Sequence, residues 1–290
     1  LSKKTGAPVK LTMSRKEVFE STGPTPGSYI KLKVGATKAG KIIAAKAYMA
    51  YEAGAFPGSP IDSAIQCIFS CYNIPNLDVE GIDVVVNKPK TAAYRAPGAT
   101  NPAFAMETIV NELATKIQID ELDFRLMNAS QEGTLRADGP PHKSIGVKQL
   151  IEAMKDHDHW KSPVRGPNVG RGVSIGMWFN IGLPSSCSIS VRKDGTISLI
   201  EGNPDIGGTR ASISMQAAEV LGIRAEDVHP TVVNTDLIGF TGLTAGSRTT
   251  FATGWAAYEA AQDVKQQMIE RAAFVMETEP KNIDMENGVF

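Results

Sequence analysis

The sequence predicts an α+β protein in two mixed lobes, on three observations. Apolar residues alternate at period two in short runs that pair as hairpins, at residues 28–51 and 187–201. Elsewhere they recur at helical spacing, as in Phe104, Ile109, Val110, Leu113 and Ile117. Strand and helix patterns are mixed in order, and residues 161–170 hold Pro163, Gly166, Pro167 and Gly170, a break that separates a first lobe, 1–160, from a second, 161–290.

Composition sets the limits. The 290 residues suit one large domain or two ordinary ones, and 42% hydrophobic with 21% charged residues describe a globular protein. No apolar run approaches the roughly 20 residues that span a bilayer. A net charge of −1 gives no basis for nucleic-acid or membrane binding. Ten Lys/Arg crowd residues 1–50 against Glu17 and Glu20, which reads as a solvated basic face. The first residues carry neither an apolar secretory segment nor an initiator Met, so the chain reads as entered in mid-domain. Cys67, Cys71 and Cys187 are odd in number, and the first two stand at helical spacing in an apolar run, so buried thiols in a reducing, cytoplasmic setting are expected. His157-Asp158-His159 lies in a polar stretch and reads as surface; no metal ligand set is expected.

In chain order, residues 8–14 alternate as a short strand, and residues 28–36 and 41–51 form a hairpin about Gly40. A helix over 62–72, capped by Asp62 or Ser63, precedes a strand over 79–87. Helices follow over 102–117, from the cap Asp120 to Asn128, and over 146–156. The second lobe reads as strands over 172–177, 187–192 and 196–201, a helix over 210–221 ended by Gly222, a strand over 228–235 and a long helix over 249–276. Ala252, Ala256, Ala260, Val264, Met268 and Ala272 give that last helix a narrow small-residue stripe for close packing.

Three loops carry chemistry. Thr91 to Gly98 holds Arg95 among small residues just before a helix start, where a permanent cation and a helix N-terminus both favour anions. An ordinary ion pair is the competing account of Arg95. Gly202 to Ser212 joins strand to helix; Gly207 and Gly208 let backbone approach a ligand, Thr209 caps the helix, and the first-turn amides are free donors. Thr244 to Phe251 repeats the arrangement with hydroxyls at Thr244, Ser247, Thr249 and Thr250, which suits a phosphate or pyrophosphate. A plain helix cap competes at both loops, and neither fits a Walker loop or a Gly-x-Gly-x-x-Gly fingerprint.

Three blocks together resemble the molybdenum hydroxylases, the xanthine dehydrogenase and aldehyde oxidase family, in its molybdopterin-binding large subunit. They are Lys4-Thr-Gly-Ala-Pro-Val-Lys10 with Ser14-Arg15, then Ala93-Tyr-Arg-Ala-Pro-Gly98 with Glu107, Asn111-Glu-Leu-Ala114 and Arg125-Leu-Met-Asn128, then Pro204-Asp-Ile-Gly-Gly208 with Thr244-Ala-Gly-Ser247. The resemblance implies a central piece of that subunit, incomplete at both ends, with the upstream pterin loop before Leu1 and the glutamate base after Phe290. It implies molybdopterin with molybdenum, alone or as a cytosine dinucleotide, and FAD and [2Fe–2S] clusters on partner domains or subunits. An aldehyde, purine or N-heterocycle would be oxidised with water as oxygen source. Arg95 would stabilise charge on the substrate; Gly207, Gly208, Thr209, Thr244, Gly246, Ser247, Thr249 and Arg125 would hold cofactor; Trp178 and Phe179 would line the substrate pocket. The family's glutamine is missing where Gly208 runs directly into Thr209. The competing expectation is a non-catalytic scaffold fragment that keeps the fold.

Overall fold

Two β-hairpins, each completed by a parallel third strand, organise the chain. The computed structural model describes residues 1–232 and 234–290. It divides into two units, Leu1–Trp178 and Phe179–Phe290; the sequence had placed the break at residues 160/161.

In the first unit, α1 (Ser2–Thr5) and α2 (Arg15–Ser21) precede β1 (Ser28–Ala36), β2 (Ile42–Gly54), α3 (Ile61–Cys67) and β3 (Leu77–Val85). Then come α4 (Thr100–Ile117), α5 (Glu121–Asn128), α6 (Val147–Asp156) and α7 (Asp158–Lys161). Strand β2 is central, antiparallel to β1 and parallel to β3. A parallel pair needs a crossover, and α3 supplies it. One face of β2, through Ala45, Ala47, Met49 and Tyr51, is buried against Ala64 and Ile68 beside α3's end and Met106, Val110 and Ala114 of α4. Asp120 caps α5, accepting from the amides of Leu122 and Asp123 at 2.9 and 3.1 Å, as its residue type and place predict.

The second unit repeats this plan with β4 (Cys187–Val191), β5 (Ile197–Glu201), α8 (Thr209–Leu221), β6 (Val228–Val232) and α9 (Gly254–Val275). Here β5 is central, antiparallel to β4 and parallel to β6, with α8 as the crossover. Ile197, Leu199 and Val228 of the sheet meet Ile213, Ala217 and Leu221 of α8 and Ala257 and Ala261 of α9. A π-helical turn, Thr249–Thr253, leads into α9.

Several expectations change. Residues 8–14 are not a strand: Val9, Leu11 and Met13 alternate, but no neighbouring strand pairs with them and all three are exposed. The helix expected over 62–72 begins at Ile61 without a side-chain cap and closes at Cys67. Residues 172–177 are irregular, their backbone held by side chains described below. The strand expected to residue 235 ends at Val232, and Val233 lies outside the described residues. The buried stripe of α9 is Gly254, Ala257, Ala261 and Ala273, flanked by half-buried Val264 and Met268; the first three lie one or two positions beyond the expected alanines. Ala256 and Ala260 of the expected stripe flank the buried line half-buried.

Candidate functional site

In the first unit the loop between β3 and α4 is fixed on both sides of Arg95. Before it, Thr91 donates from N and Oγ1 to the Ala53 carbonyl at 3.0 and 3.2 Å. After it, the Gly98 amide donates to the Tyr94 hydroxyl at 2.9 Å and the Tyr51 hydroxyl to the Gly98 carbonyl at 3.0 Å. Gly98 has φ 84°, and a Cβ there would run into the Pro60 carbonyl, so only glycine fits. Ala96 is also left-handed, at φ 51°. Arg95 itself is exposed, and among the described residues its guanidinium makes no ion pair or hydrogen bond. The ordinary ion pair weighed from the sequence is therefore not formed.

Arg125 is placed quite differently. It is fully buried, with Nε and Nη2 on Glu107 Oε2 at 2.9 and 2.8 Å, Nη1 on the Glu121 carbonyl, and Nη2 also on Asn111 Oδ1 and the Val173 carbonyl. Glu107 in turn accepts from the Ile175 amide at 2.8 Å and from the Tyr72 hydroxyl. All three nitrogens have a partner inside the unit and the side chain is fully buried, which turns Arg125 inward. Its geometry is that of a pin: it holds α4, α5 and the irregular segment 173–175 together. Trp178 and Phe179, half-buried, follow that segment at the division between units.

In the second unit the two hydroxyl- and glycine-bearing loops converge on Asn203, buried just beyond β5. Its Oδ1 accepts from Thr244 Oγ1 at 3.2 Å and Arg248 Nη1 at 3.3 Å, its amide donates to Glu201 Oε2 at 2.7 Å, and its Nδ2 donates to Thr253 Oγ1. Thr244 thus faces the interior rather than a ligand. Glu201 is fully buried with Oε1 unpartnered, and burial raises its pKa.

The first of these loops is more closed than its sequence suggests. Gly207 and Gly208 are exposed and left-handed at φ 60° and 85°, with nothing within 4 Å of an added Cβ, so they leave open space over the backbone. The N-cap is Gly208, and Thr209 lies inside α8 with its Oγ1 accepting from the Ile206 amide at 3.1 Å. Two first-turn amides are occupied: Thr209 N donates to the Ile206 carbonyl at 3.3 Å, and Arg210 N to Asp205 Oδ1 at 3.2 Å. A carboxylate, paired also with the Arg210 guanidinium at 3.2 Å, already stands where an anion was expected.

The second loop is open. Ser247, a non-glycine at φ 55°, precedes right-handed Arg248, a left-to-right step that turns successive amides into a concavity suited to anions. The Gly246 carbonyl accepts from the Ile181 amide, so the Ser247 N–H, on the opposite side of that planar peptide, points away from residue 181. The amides of Gly246, Ser247, Thr249 and Thr250 donate to no acceptor among the described residues. Ser247 is exposed, and Thr249, buried, makes no side-chain hydrogen bond among the described residues. Arg248, absent from the site residues expected above, is fully buried beside them; an arginine among small residues before a helix, as at Arg95, is the signal that marks it. Among the described residues no three His, Cys, Asp or Glu gather as a metal site.

Two models of the molybdopterin cofactor-binding domain match the chain, over residues 1–129 and 147–290. The chain belongs to the molybdenum hydroxylase family. It is 28% identical over 93% of its length to the probable hypoxanthine oxidase XdhD of Escherichia coli K12, and 30% identical over 76% to the aldehyde oxidoreductase molybdenum-binding subunit PaoC of the same strain. The chain spans 30% and 31% of these two relatives. Quinoline 2-oxidoreductase from Pseudomonas putida 86 has the same fold, with a TM-score of 0.80 and 22% identity over 99% of this chain and 40% of that one. The expected family and α+β fold are thereby established.

Proposed function

We propose that this chain is part of the catalytic subunit of a molybdenum hydroxylase that oxidises an aldehyde, purine or N-heterocycle with water as oxygen source. The observation that carries the reading is Arg95: an exposed cation without a counter-ion among the described residues, on a loop whose flanks are hydrogen-bonded into the sheet and α4. A fixed cation of this kind stabilises negative charge as it develops on a substrate and needs no reorganisation to do so.

The donor set fits an anionic pterin. The free amides of Gly246, Ser247, Thr249 and Thr250 and the Ser247 hydroxyl suit its phosphate, the Arg248 amide between them donating to the Ala245 carbonyl at 3.4 Å, and the open backbone at Gly207–Gly208 lets a flat ligand approach closely. When bound, the molybdenum–pterin group supplies the two-electron oxidation and the site of oxygen transfer. The chain's own residues bind and orient: Ser247, Thr249 and the surrounding amides hold the phosphate, Arg95 faces the substrate, and Glu107 with Arg125 fixes the segment that leads to Trp178 and Phe179. Electrons would leave to [2Fe–2S] clusters and FAD on partner domains or subunits, in the cytoplasm.

The test is to isolate the protein with its natural partners, measure molybdenum and pterin, and assay aldehydes, purines and N-heterocycles with an artificial electron acceptor. Cofactor loading with turnover in at least one class supports the reading. Full loading with no turnover in any class, and no effect of Arg95→Lys on substrate binding, would leave a scaffold.

A further inference from the structure

Arg248 combines complete burial with a complete lack of charge compensation. Its Nε donates to the Gly182 carbonyl, and Nη1 to Asn203 Oδ1 at 3.3 Å and to the Gly242 and Leu243 carbonyls at 3.0 and 3.5 Å. Its Nη2 donates to the Leu183 and Pro184 carbonyls at 3.1 and 2.7 Å and to Ser185 Oγ. All seven acceptors are neutral, and no carboxylate pairs with it among the described residues. A buried cation is ordinarily matched by an anion, because hydrogen bonds to neutral dipoles satisfy its protons but leave its net charge. Arg125, buried to the same degree, has its carboxylate at 2.8 Å. The missing anion has an open approach: the next residues on either side, Ser247 and Thr249, bear the free amides.

We propose that Arg248 is a positioning residue for the phosphate-class anion of this loop, in two ways. Its bonds hold segments 182–185 and 242–243 against the loop and so keep Ser247 in its left-handed conformation, which a residue with a Cβ rarely adopts unaided. Its uncompensated charge makes the concavity of amides at Gly246 to Thr250 electropositive from behind. The second part does not follow from the hydrogen bonds alone, and it rests on reading this loop as the phosphate-binding part of the cofactor site.

Asn203→Asp separates the two. The change is isosteric and keeps an oxygen on Arg248 Nη1, but it sets a carboxylate there and neutralises the cation. Pyrophosphate serves as probe with the purified cofactor-free protein, binding being read by calorimetry and by the rise in melting temperature; retained pterin is measured separately on the protein as isolated. The parent protein should bind pyrophosphate, and Asn203→Asp should weaken it at least tenfold and lower pterin content while melting unchanged or higher without ligand. Arg248→Lys, which keeps the charge and loses the fork, should melt lower yet retain binding better than Arg248→Met. Equal pyrophosphate affinity in Asn203→Asp and parent overturns the electrostatic role and leaves the cofactor reading intact. Equal loss in Arg248→Lys and Arg248→Met, where Asn203→Asp does not fold, overturns it likewise. A parent protein that binds neither pyrophosphate nor pterin overturns the cofactor reading, and this inference with it.

Discussion

The two units share one plan: hairpin, crossover helix, parallel third strand, then a loop with an arginine ahead of the longest helix. The plan puts Arg95 and Arg248 at equivalent places and gives them opposite surroundings. Arg95 is exposed with no partner among the described residues; Arg248 is sealed among carbonyls. The difference lies in what flanks each loop. In the first unit Tyr51 and Tyr94 fasten the loop by their hydroxyls, so the arginine is not needed to hold it. In the second unit the segments at 182–185 and 242–243 have carbonyls that need donors, and the arginine supplies them. Position in a fold decides where a side chain starts; unsatisfied polar groups nearby decide which way it turns.

The comparison implies that buried arginines carry stability and the exposed one carries chemistry. The largest expected effect is Arg125→Ala, which strands Glu107 without its cation; unfolding free energy should fall by about 3–5 kcal/mol, read by chemical denaturation. Arg95→Ala should change the same quantity by no more than about 0.5 kcal/mol. A small loss at Arg125 would show that its network is replaceable and reopen the cofactor role expected from its sequence motif.

Next, Arg95→Lys in the cofactor-loaded enzyme should lower turnover by about 10²-fold, because a point charge replaces a planar fork at a site of developing charge. Steady-state kinetics at matched molybdenum content are the measurement, and unchanged kinetics would make Arg95 a surface residue. Smaller again is the double change Ser247→Ala and Thr249→Ala. It removes two hydroxyls at about 1 kcal/mol each and leaves the amides, so pterin retention should drop several-fold while the melting temperature barely moves. Equal pterin content in the double variant and parent would make the loop a helix cap alone.

The smallest effect is a pH dependence at Glu201. Burial raises its folded pKa above the ordinary value of 4.5, so the folded state holds a proton that the unfolded chain releases. Its carboxyl therefore weakens the fold progressively as pH rises from 4.5 through the folded pKa. Measured against the parent, Glu201→Gln should gain stability over that window and show a constant difference below it. A difference independent of pH would mean that folding leaves the Glu201 carboxyl unshifted.

Both hairpins, the long helices, the Asp120 cap and the Gly222 terminus were legible, because each depends on local periodicity or one residue's backbone preference. Contacts between distant segments were not. Residues 8–14 have a strand's alternation, but a strand exists only with a partner, which a single run cannot announce. Thr244 and Thr249 look alike in a row of hydroxyls, yet one faces Asn203 and the other stands beside free amides. Asp205 reads as an ordinary loop acid until its oxygens are found on Arg210. The loop around Arg95 stands out through family motifs, whereas the burial of Arg248 depends on carbonyls from segments that no motif brings together.

The cage around Arg248 also sets an order of events during synthesis. Residues 182–185 leave the ribosome more than sixty residues before the arginine that ties them down. The hairpin of β4 and β5 can form early from local contacts, while Ser247 acquires its left-handed turn only when Arg248 has folded back onto chain made long before. A phosphate-class ligand at this loop would therefore meet a conformation that depends on chain segments more than sixty residues apart.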